Sequence, residues 1–312
     1  MNKKILISSY HMFQELKKYT ALLKKKKIDY DTFIRNPVVK EKDLINIIHK
    51  YDGLICSDDE VTKNVLKKAA KLKVISKWGT GIDSIDKVFA AKKKIKIFNS
   101  PNAFSKSVSQ LAWGMIINLS RDMYSIHKDI INGRWTKKSG KLFYKKNLGV
   151  IGLGCVGQEF IKNGKGFEMN ILGNDIKKVD NNIIKKLGIK IVKKEYLLKK
   201  SDIIVLCVDL NKSSYHLINS KEFKLMKKTA ILINVSRGPV VSEKALINAL
   251  KSKKIEGAGI DVFENEPPKK KNLLFKQKNC IFSSHNAFNT YEEVSNVHRN
   301  TIFNMIKGLK SN

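Results

Sequence analysis

Three apolar segments in the second half of the chain each run directly into a charged or titratable residue. The residues that end these segments are Arg237, Asp261 and His285. If the segments are neighbouring strands of a parallel sheet, their carboxyl ends meet at one edge, which is where such sheets bind ligands. A guanidinium, a carboxylate and an imidazole at that edge suit hydride transfer at the carbon beside a carboxylate group.

Each of these residue types has a defined use in that reaction. The planar guanidinium of Arg237 can hold a carboxylate through two parallel hydrogen bonds. A histidine, with an intrinsic pKa of about 6.5, can take a hydroxyl proton and return it in the reverse direction. A carboxylate close to His285 would orient the imidazole and favour its protonated form. We interpret the remaining histidines as ordinary hydrogen-bonded residues: His11, His49, His127, His216 and His298.

A glycine pattern upstream predicts a dinucleotide site. After the apolar run 148–151, Gly152, Gly154 and Gly157 have G-x-G-x-x-G spacing, and a second apolar run ends at Asp175. The first glycine permits a tight turn, the second lets backbone approach a pyrophosphate, and the third lets helix pack on strand. The helix N-terminus then faces the phosphates. Asp175 can accept hydrogen bonds from ribose hydroxyls and would repel a 2′-phosphate, which predicts NAD(H) rather than NADP(H).

Alternating apolar and amphipathic segments must position these residues. Their rhythm predicts two α/β halves, each built on a parallel sheet. The predicted strands are Ile5–Ser8, Ile28–Phe33, Gly53–Cys56, Val74–Ser76, Ile95–Phe98, Leu148–Ile151, Met169–Leu172, Ile189–Val192, Ile203–Val208, Ala230–Val235, Gly257–Ile260 and Cys280–Ser283. Residues 61–70, 105–119 and 291–309 are predicted helices. The apolar stripe of 105–119 fits either a core-facing helix or a contact with another subunit.

The composition is that of a globular chain with a large excess of lysine. The 312 residues allow two domains, and 61 Lys+Arg against 28 Asp+Glu give a net charge of +33. That charge raises nucleic acid as a partner, but the lysines are spread along the chain without interleaved aromatic residues, which favours a compositional bias and an anionic substrate. Membrane-spanning and signal segments are missing from the sequence, so we expect a cytoplasmic protein. The four separated cysteines predict no metal site.

Together these segments resemble the D-isomer-specific 2-hydroxyacid dehydrogenases, which include phosphoglycerate, glycerate and D-lactate dehydrogenases. The matching segments are KWGTGIDSID at 77–86, GLGCVGQ at 152–158, NVSRGPVV at 234–241, GAGIDVFENEPP at 257–268 and SHNAFNT at 284–290. The resemblance implies two doubly wound parallel-sheet α/β domains, Rossmann-like and flavodoxin-like, with the active site in the cleft between them. Residues 1–100 plus 289–312 would form a discontinuous substrate domain, and residues 101–288 the NAD-binding domain.

The resemblance also implies roles for individual residues. Arg237 would bind the substrate carboxylate and carbonyl, Glu266 would pair with the histidine, and His285 would be the acid/base. The residues that would contact NAD are Gly152, Gly154, Cys155, Val156, Gly157, Asp175, Val235 and Asp261, the last two near the nicotinamide. Backbone around Thr80 and Gly81 would hold the substrate carboxylate. A homodimer through the helix at 105–119 is also implied.

Two departures from the family pattern bear on the ligands. The family often has His-Val-Pro where this chain has Cys-Val-Asp at 207–209, so contacts near the cofactor riboses are expected to differ. Phosphoglycerate dehydrogenases commonly carry an arginine near Cys56–Asp59, and its absence argues against phosphoglycerate, although Lys77 could supply a positive group. These features favour an NAD-dependent oxidoreductase acting on a small D-2-hydroxy acid or 2-oxo acid.

A second hypothesis comes from a different class of protein. Some relatives of the family are corepressors, and the net charge of +33 fits a dinucleotide-sensing protein associated with nucleic acid or transcription. Such a protein would not need a catalytic set. Because Arg237, Glu266 and His285 are all present, the sequence favours the enzyme.

Overall fold

The computed structural model describes residues 2–35 and 38–310 and divides into two compact units. The first unit is Met1–Ala103 with Thr290–Asn312, and the second is Phe104–Asn289. Each contains one all-parallel sheet with helices, so the prediction of two parallel-sheet α/β domains is confirmed. Residues 1, 36–37 and 311–312, which the predicted domain ranges include, lie outside the described residues.

The first unit, over its described residues, has a five-stranded sheet in the order β2-β1-β3-β4-β5. Its strands are β1 (Lys3–Ile7), β2 (Ile28–Thr32), β3 (Gly53–Cys56), β4 (Val74–Lys77) and β5 (Lys96–Phe98). Its helices up to residue 103 are α1 (Tyr10–Glu15), α2 (Thr20–Lys25), α3 (Glu41–Ile45), α4 (Lys63–Lys68) and α5 (Lys87–Lys92). Ile5, Leu6 and Ile7 of β1 and all four residues of β3 are apolar and buried, as expected for the inner strands of a parallel sheet.

The second unit has a seven-stranded sheet in the order β12-β11-β10-β9-β6-β7-β8. Its strands are β6 (Asn147–Ile151), β7 (Asn170–Asn174), β8 (Ile189–Ile191), β9 (Ile203–Leu206), β10 (Ile231–Asn234), β11 (Gly257–Ile260) and β12 (Cys280–Phe282). Its helices are α6 (Ser105–Arg121), α7 (Met123–Ile131), α8 (Cys155–Asn163), α9 (Asn181–Leu187), α10 (Lys194–Lys200), α11 (Ser220–Leu225) and α12 (Glu243–Lys251). Strand order reverses between β6 and β9, and ligands of doubly wound sheets bind outside the carboxyl ends at such a point.

Helix α12 shows how a cap and an apolar stripe together form a helix of this unit. Before α12, the Ser242 hydroxyl accepts a hydrogen bond from the backbone N–H of Ala245 and so satisfies one of the unpaired donors at the helix start. Ala245 and Leu246, together with Leu250 one turn further on, are buried in the core of the unit. Burial of this stripe fixes the helix on the sheet.

The C-terminal helix, Tyr291–Lys310, returns to the first unit. The hydroxyl of Ser76 on β4 donates a 2.8 Å hydrogen bond to the carbonyl of Thr301 on this helix. A side chain at Gly53 would place its Cβ 2.6 Å from the sulfur of Met305, so glycine lets the helix lie close on β3. The helix therefore completes the first unit from the far end of the chain.

The predicted helix at 105–119 is α6, and its apolar stripe faces the core of its own unit. Val108, Ala112 and Ile116 are buried. The Trp113 ring stacks on Phe160 with centroids 4.7 Å apart, and its indole N–H donates a 2.9 Å hydrogen bond to the Phe160 carbonyl. Of the two predictions for this apolar stripe, a core-facing helix or a contact with another subunit, the structure shows the core-facing helix.

Many of the large exposed apolar residues of the second unit lie on α7 and on the irregular segment that follows it. Those on α7 and the irregular segment that follows are Met123, Tyr124, Ile130, Ile131, Trp135, Leu142 and Tyr144. None of the residues of α7 is buried, and the sequence patterns did not predict this helix. Of the helices in the described part of the chain, none combines the length and apolar character required to cross a membrane.

Candidate active site

The glycine pattern forms a tight turn between β6 and α8. Gly152 has φ +94°, and a Cβ there would lie 2.3 Å from the carbonyl oxygen of Cys207. A Cβ on Gly157 would lie 2.1 Å from the carbonyl oxygen of Gly152, so the helix can approach the turn only without a side chain. At Gly154, which caps α8, a Cβ would meet no atom within 4 Å. The turn thus has open space where a pyrophosphate would approach backbone.

Asp175, directly after β7, is fixed beside this turn. Its Oδ2 accepts a 2.7 Å hydrogen bond from the backbone N–H of Leu153, and its Oδ1 accepts a 2.8 Å bond from that of Lys177. Each carboxylate oxygen has a second lone pair, which can accept from a ribose hydroxyl. Cys155, at the start of α8, is exposed, and Val156 is half-buried beside it.

Cys207, directly after β9, stands where the sequence departs from the family pattern. Its thiol is partly buried, and burial raises its pKa to about 12. At neutral pH this position therefore carries an uncharged thiol beside Gly152, whereas a histidine would bring a titratable ring.

The turn after β10 presents Arg237. Asn234, the last residue of the strand, is 1% exposed, and its Oδ1 accepts hydrogen bonds from the Ser236 N–H and hydroxyl at 3.1 and 2.7 Å. The Asn234 side-chain amide donates a 3.1 Å bond to the Arg237 carbonyl. A Cβ at Gly238 would lie 1.8 Å from the Phe263 carbonyl oxygen, so only glycine lets the turn lie this close to the loop after β11. Val235 is buried in the same turn.

The loops after β11 and β12 carry the predicted carboxylate and histidine. His285 Nδ1 lies 2.7 Å from Glu266 Oε2, and Glu266 Oε1 accepts a 2.9 Å hydrogen bond from the Phe263 N–H. Asp261 is 1% exposed; its carboxylate accepts from the backbone N–H groups of Asn286 and Ala287. Asp261 therefore shapes the loop that holds the imidazole, and Glu266 orients the ring itself.

A second histidine–carboxylate pair was not predicted from the sequence. His216 Nε2 lies 2.8 Å from Glu264 Oε1, and the same oxygen accepts a 3.0 Å hydrogen bond from the Glu243 N–H. The resemblance paired Glu266 with His285; in the structure Glu266 contacts His285, and Glu264 contacts His216. No sequence signal links residues 48 positions apart. Through its contacts with His216 and Glu243, Glu264 stabilises the loop that also carries Glu266.

Lys77, Thr80 and Gly81 lie at the carboxyl end of β4 in the first unit. Gly79 has φ +116°, which turns the chain sharply after the strand. The Thr80 hydroxyl donates a 3.2 Å hydrogen bond to the Ser100 carbonyl, so the turn has a defined shape. Lys77 is 3% exposed and already donates to acceptors of its own unit.

Chemically, the second unit can bind a dinucleotide and exchange a proton at the same sheet edge. The glycine turn, Arg237 and His285 all follow the carboxyl ends of strands in one parallel sheet. Over residues 2–35 and 38–310, His, Cys, Asp and Glu side chains form no cluster of three that could hold a metal ion.

Residues 113–287 match the family model described as D-isomer specific 2-hydroxyacid dehydrogenase, NAD binding domain. The chain is 39% identical over 256 residues to the D-3-phosphoglycerate dehydrogenase of Methanocaldococcus jannaschii, covering 81% of this chain but 48% of that protein, about half its length. It is 38% identical over 260 residues to the glyoxylate reductase of Thermococcus litoralis, covering 80% of this chain and 78% of the relative.

Among solved structures, the chain resembles D-lactate dehydrogenase from Aquifex aeolicus complexed with NAD and lactic acid. The TM-score is 0.86 at 27% identity, and the match covers 99% of this chain and 94% of the other. The similarity therefore extends over both units and not only over the dinucleotide motif.

Proposed function

The chain belongs to the D-isomer specific 2-hydroxyacid dehydrogenase family, whose members are NAD-dependent oxidoreductases, and we propose that it transfers a hydride between nicotinamide and C2 of a small D-2-hydroxy acid or 2-oxo acid. The observation that carries this proposal is the 2.7 Å contact between His285 Nδ1 and Glu266 Oε2. This contact orients the imidazole ring of His285. The ring lies at the same edge of the sheet as Arg237 and the glycine turn. We assign the first unit to the substrate and the second to NAD.

In this proposal each residue acts on one part of the reaction. When bound, NADH supplies the hydride that reaches C2 of the 2-oxo acid. Arg237 binds the substrate carboxylate and polarises the carbonyl. Because Nδ1 of His285 faces Glu266, we assign proton exchange to Nε2, which gives its proton to the carbonyl oxygen during reduction and takes it back during oxidation. Glu266 stabilises the charged imidazolium form.

The cofactor fits the residues that are present. Gly154 leaves room for backbone to approach a pyrophosphate, and Asp175 is held by two backbone N–H groups at the end of the turn. We place the pyrophosphate against Cys155 and Val156 at the start of α8, and the nicotinamide beside Val235 and Asp261.

The direct test is NADH oxidation by the purified protein against a panel of 2-oxo acids. The panel holds glyoxylate, pyruvate, hydroxypyruvate, and branched and aromatic 2-oxo acids, with NADPH in parallel. We expect turnover with at least one acid, and a rate at least about tenfold lower with NADPH, because about 1.4 kcal/mol of repulsion between Asp175 and a 2′-phosphate suffices for that factor. Bound NADH without turnover on any acid would contradict the proposal. Nothing in the described residues favours the nucleic-acid alternative.

We also propose a homodimer, with its interface on α7 and the following segment instead of α6. The apolar stripe of α6 is buried inside its own unit, whereas Trp135 is 83% exposed and other exposed apolar residues precede and follow it in the sequence. Apolar surface of this kind marks protein–protein contacts.

Replacing Trp135 by Glu should convert the dimer to a monomer, since it places a charge in an apolar interface. The molar mass measured by light scattering after size exclusion should fall from twice the chain mass of 35.5 kDa to that mass itself. Tyr291→Glu is the matched control, because Tyr291 is an aromatic residue of the first unit that is 94% exposed. A wild-type monomer, or a dimer that survives Trp135→Glu, would refute this interface.

A further inference from the structure

Lys77 carries a buried charge at the end of β4. Its side chain is 4% exposed, and its Nζ donates to Asp58 Oδ1 at 3.0 Å and to the Trp78 carbonyl at 3.1 Å. A buried ammonium group is tolerated where acceptors of this kind surround it. The charge of Lys77 is therefore compensated inside the first unit before any substrate arrives.

Asp58 is positioned by the loop after β3. Its neighbour Asp59 is 1% exposed and anchors that loop, because its carboxylate accepts hydrogen bonds from the Val39 N–H, the Ser57 N–H and the Ser8 hydroxyl. Strands β3 and β4 are parallel neighbours, with Cys56 in register with Lys77. Asp58 consequently emerges at the same sheet edge as Lys77.

The two members of this ion pair differ in exposure. The Asp58 side chain is 50% exposed, against 4% for Lys77. A ligand that approaches this edge therefore meets the carboxylate and not the ammonium group. A phosphate group would be repelled by Asp58. It could reach Lys77 only by breaking the ion pair between Asp58 and the buried Lys77. A hydroxyl group, in contrast, can donate a hydrogen bond to the carboxylate.

We propose that Asp58 determines substrate specificity by masking the charge of Lys77, so that the enzyme selects 2-oxo acids that are uncharged beyond the keto carbon against phosphorylated ones. This inference rests on the proposed function, because it assumes that the edge containing Thr80 and Gly81 receives the substrate. It narrows that function to a chemical class of substrate.

The test compares hydroxypyruvate with phosphohydroxypyruvate, which differ only by the phosphate. We expect wild-type kcat/KM with NADH to favour hydroxypyruvate by about 100-fold or more, as like-charge contacts give discrimination of this order. Asp58→Asn keeps an oxygen acceptor for Lys77 but removes the negative charge. It should shift the ratio of the two kcat/KM values towards the phosphorylated acid by about tenfold or more.

Two further variants identify the source of that shift. Adding Lys77→Met to Asp58→Asn should abolish the gain, because the unmasked ammonium group is what attracts the phosphate. Asp29→Asn removes the same charge from an exposed position on β2 of the same unit and should leave the ratio unchanged. A thermal melt of each variant checks that the fold is retained.

The outcome also separates this inference from the proposed function. Calorimetric binding of the two acids to the protein with NAD⁺ gives the selectivity without turnover. If the protein binds hydroxypyruvate selectively but does not reduce it, the proposed function is contradicted and the role of Asp58 is supported. Equal use or binding of both acids by the wild type, or a ratio that Asp58→Asn does not move, would overturn the role of Asp58.

Discussion

Replacing His285 by Asn should lower kcat for 2-oxo acid reduction by about 10³-fold, within the range that a positioned acid or base contributes. The loss follows because the carbonyl oxygen would no longer receive a proton as hydride reaches C2. Asparagine is the suitable replacement, since His285 has φ +53° and asparagine tolerates the left-handed region better than most side chains. Steady-state kinetics measures kcat, and NADH fluorescence should show an unchanged Kd for the cofactor.

His216→Asn is the matched control for this prediction. His216 also has a left-handed backbone, with φ +49°, and also contacts a carboxylate, at 2.8 Å. Its loss should reduce kcat by less than about tenfold, because the proposed mechanism gives His216 and Glu264 no role in proton transfer. If the two variants lose the same activity, the effect of His285 is structural and its assignment as acid/base is wrong.

The strands could be predicted from the sequence to within two residues at each end because each is a short apolar run between turns. Gly53–Cys56 and Gly257–Ile260 begin and end where predicted. The convergence of Arg237, Asp261 and His285 on one edge also followed from the pattern, since β10, β11 and β12 are consecutive in the parallel sheet. Local hydrophobicity and the direction of parallel strands together are sufficient for this part of the site.

Helix α7 was not among the helices predicted from the sequence. It begins after Asp122, which ends α6 at φ +52° in the place where a glycine more commonly marks the end of a helix. Its apolar residues Met123, Ile126, Ile130 and Ile131 recur at helical spacing, but no residue of α7 is buried, so this stripe does not form part of a core.

The pairing of charged residues depends on tertiary contacts that no local pattern encodes. Glu264 and Glu266 are two positions apart, yet they contact different histidines, His216 and His285. Likewise, Asp58 and Lys77 meet only because β3 and β4 are adjacent and in register. The sequence could therefore offer Lys77 as a positive group for a substrate, but it could not show that the charge is already paired.

Replacing Arg237 by Lys should lower kcat/KM for the 2-oxo acid by about 10²-fold, mainly through KM. Lysine keeps the charge but not the planar fork that binds a carboxylate bidentately. Loss of about 2.8 kcal/mol, the order of one charge-assisted hydrogen bond, corresponds to that factor. The turn that presents the side chain should persist, because Asn234 holds it through the backbone carbonyl of residue 237 and the Ser236 N–H and hydroxyl.

The measurement separates substrate binding from cofactor binding. The Kd for NADH should not change in Arg237→Lys, because the glycine turn and Asp175 that would bind the cofactor lie on other loops of the sheet. Arg121→Lys, at the exposed end of α6, makes the same substitution outside the site and should leave both constants unchanged. A kcat/KM for Arg237→Lys within tenfold of wild type would mean that a point charge is sufficient. The carboxylate of the substrate would then be held by backbone near Thr80 and Gly81, and the guanidinium would not be its principal partner.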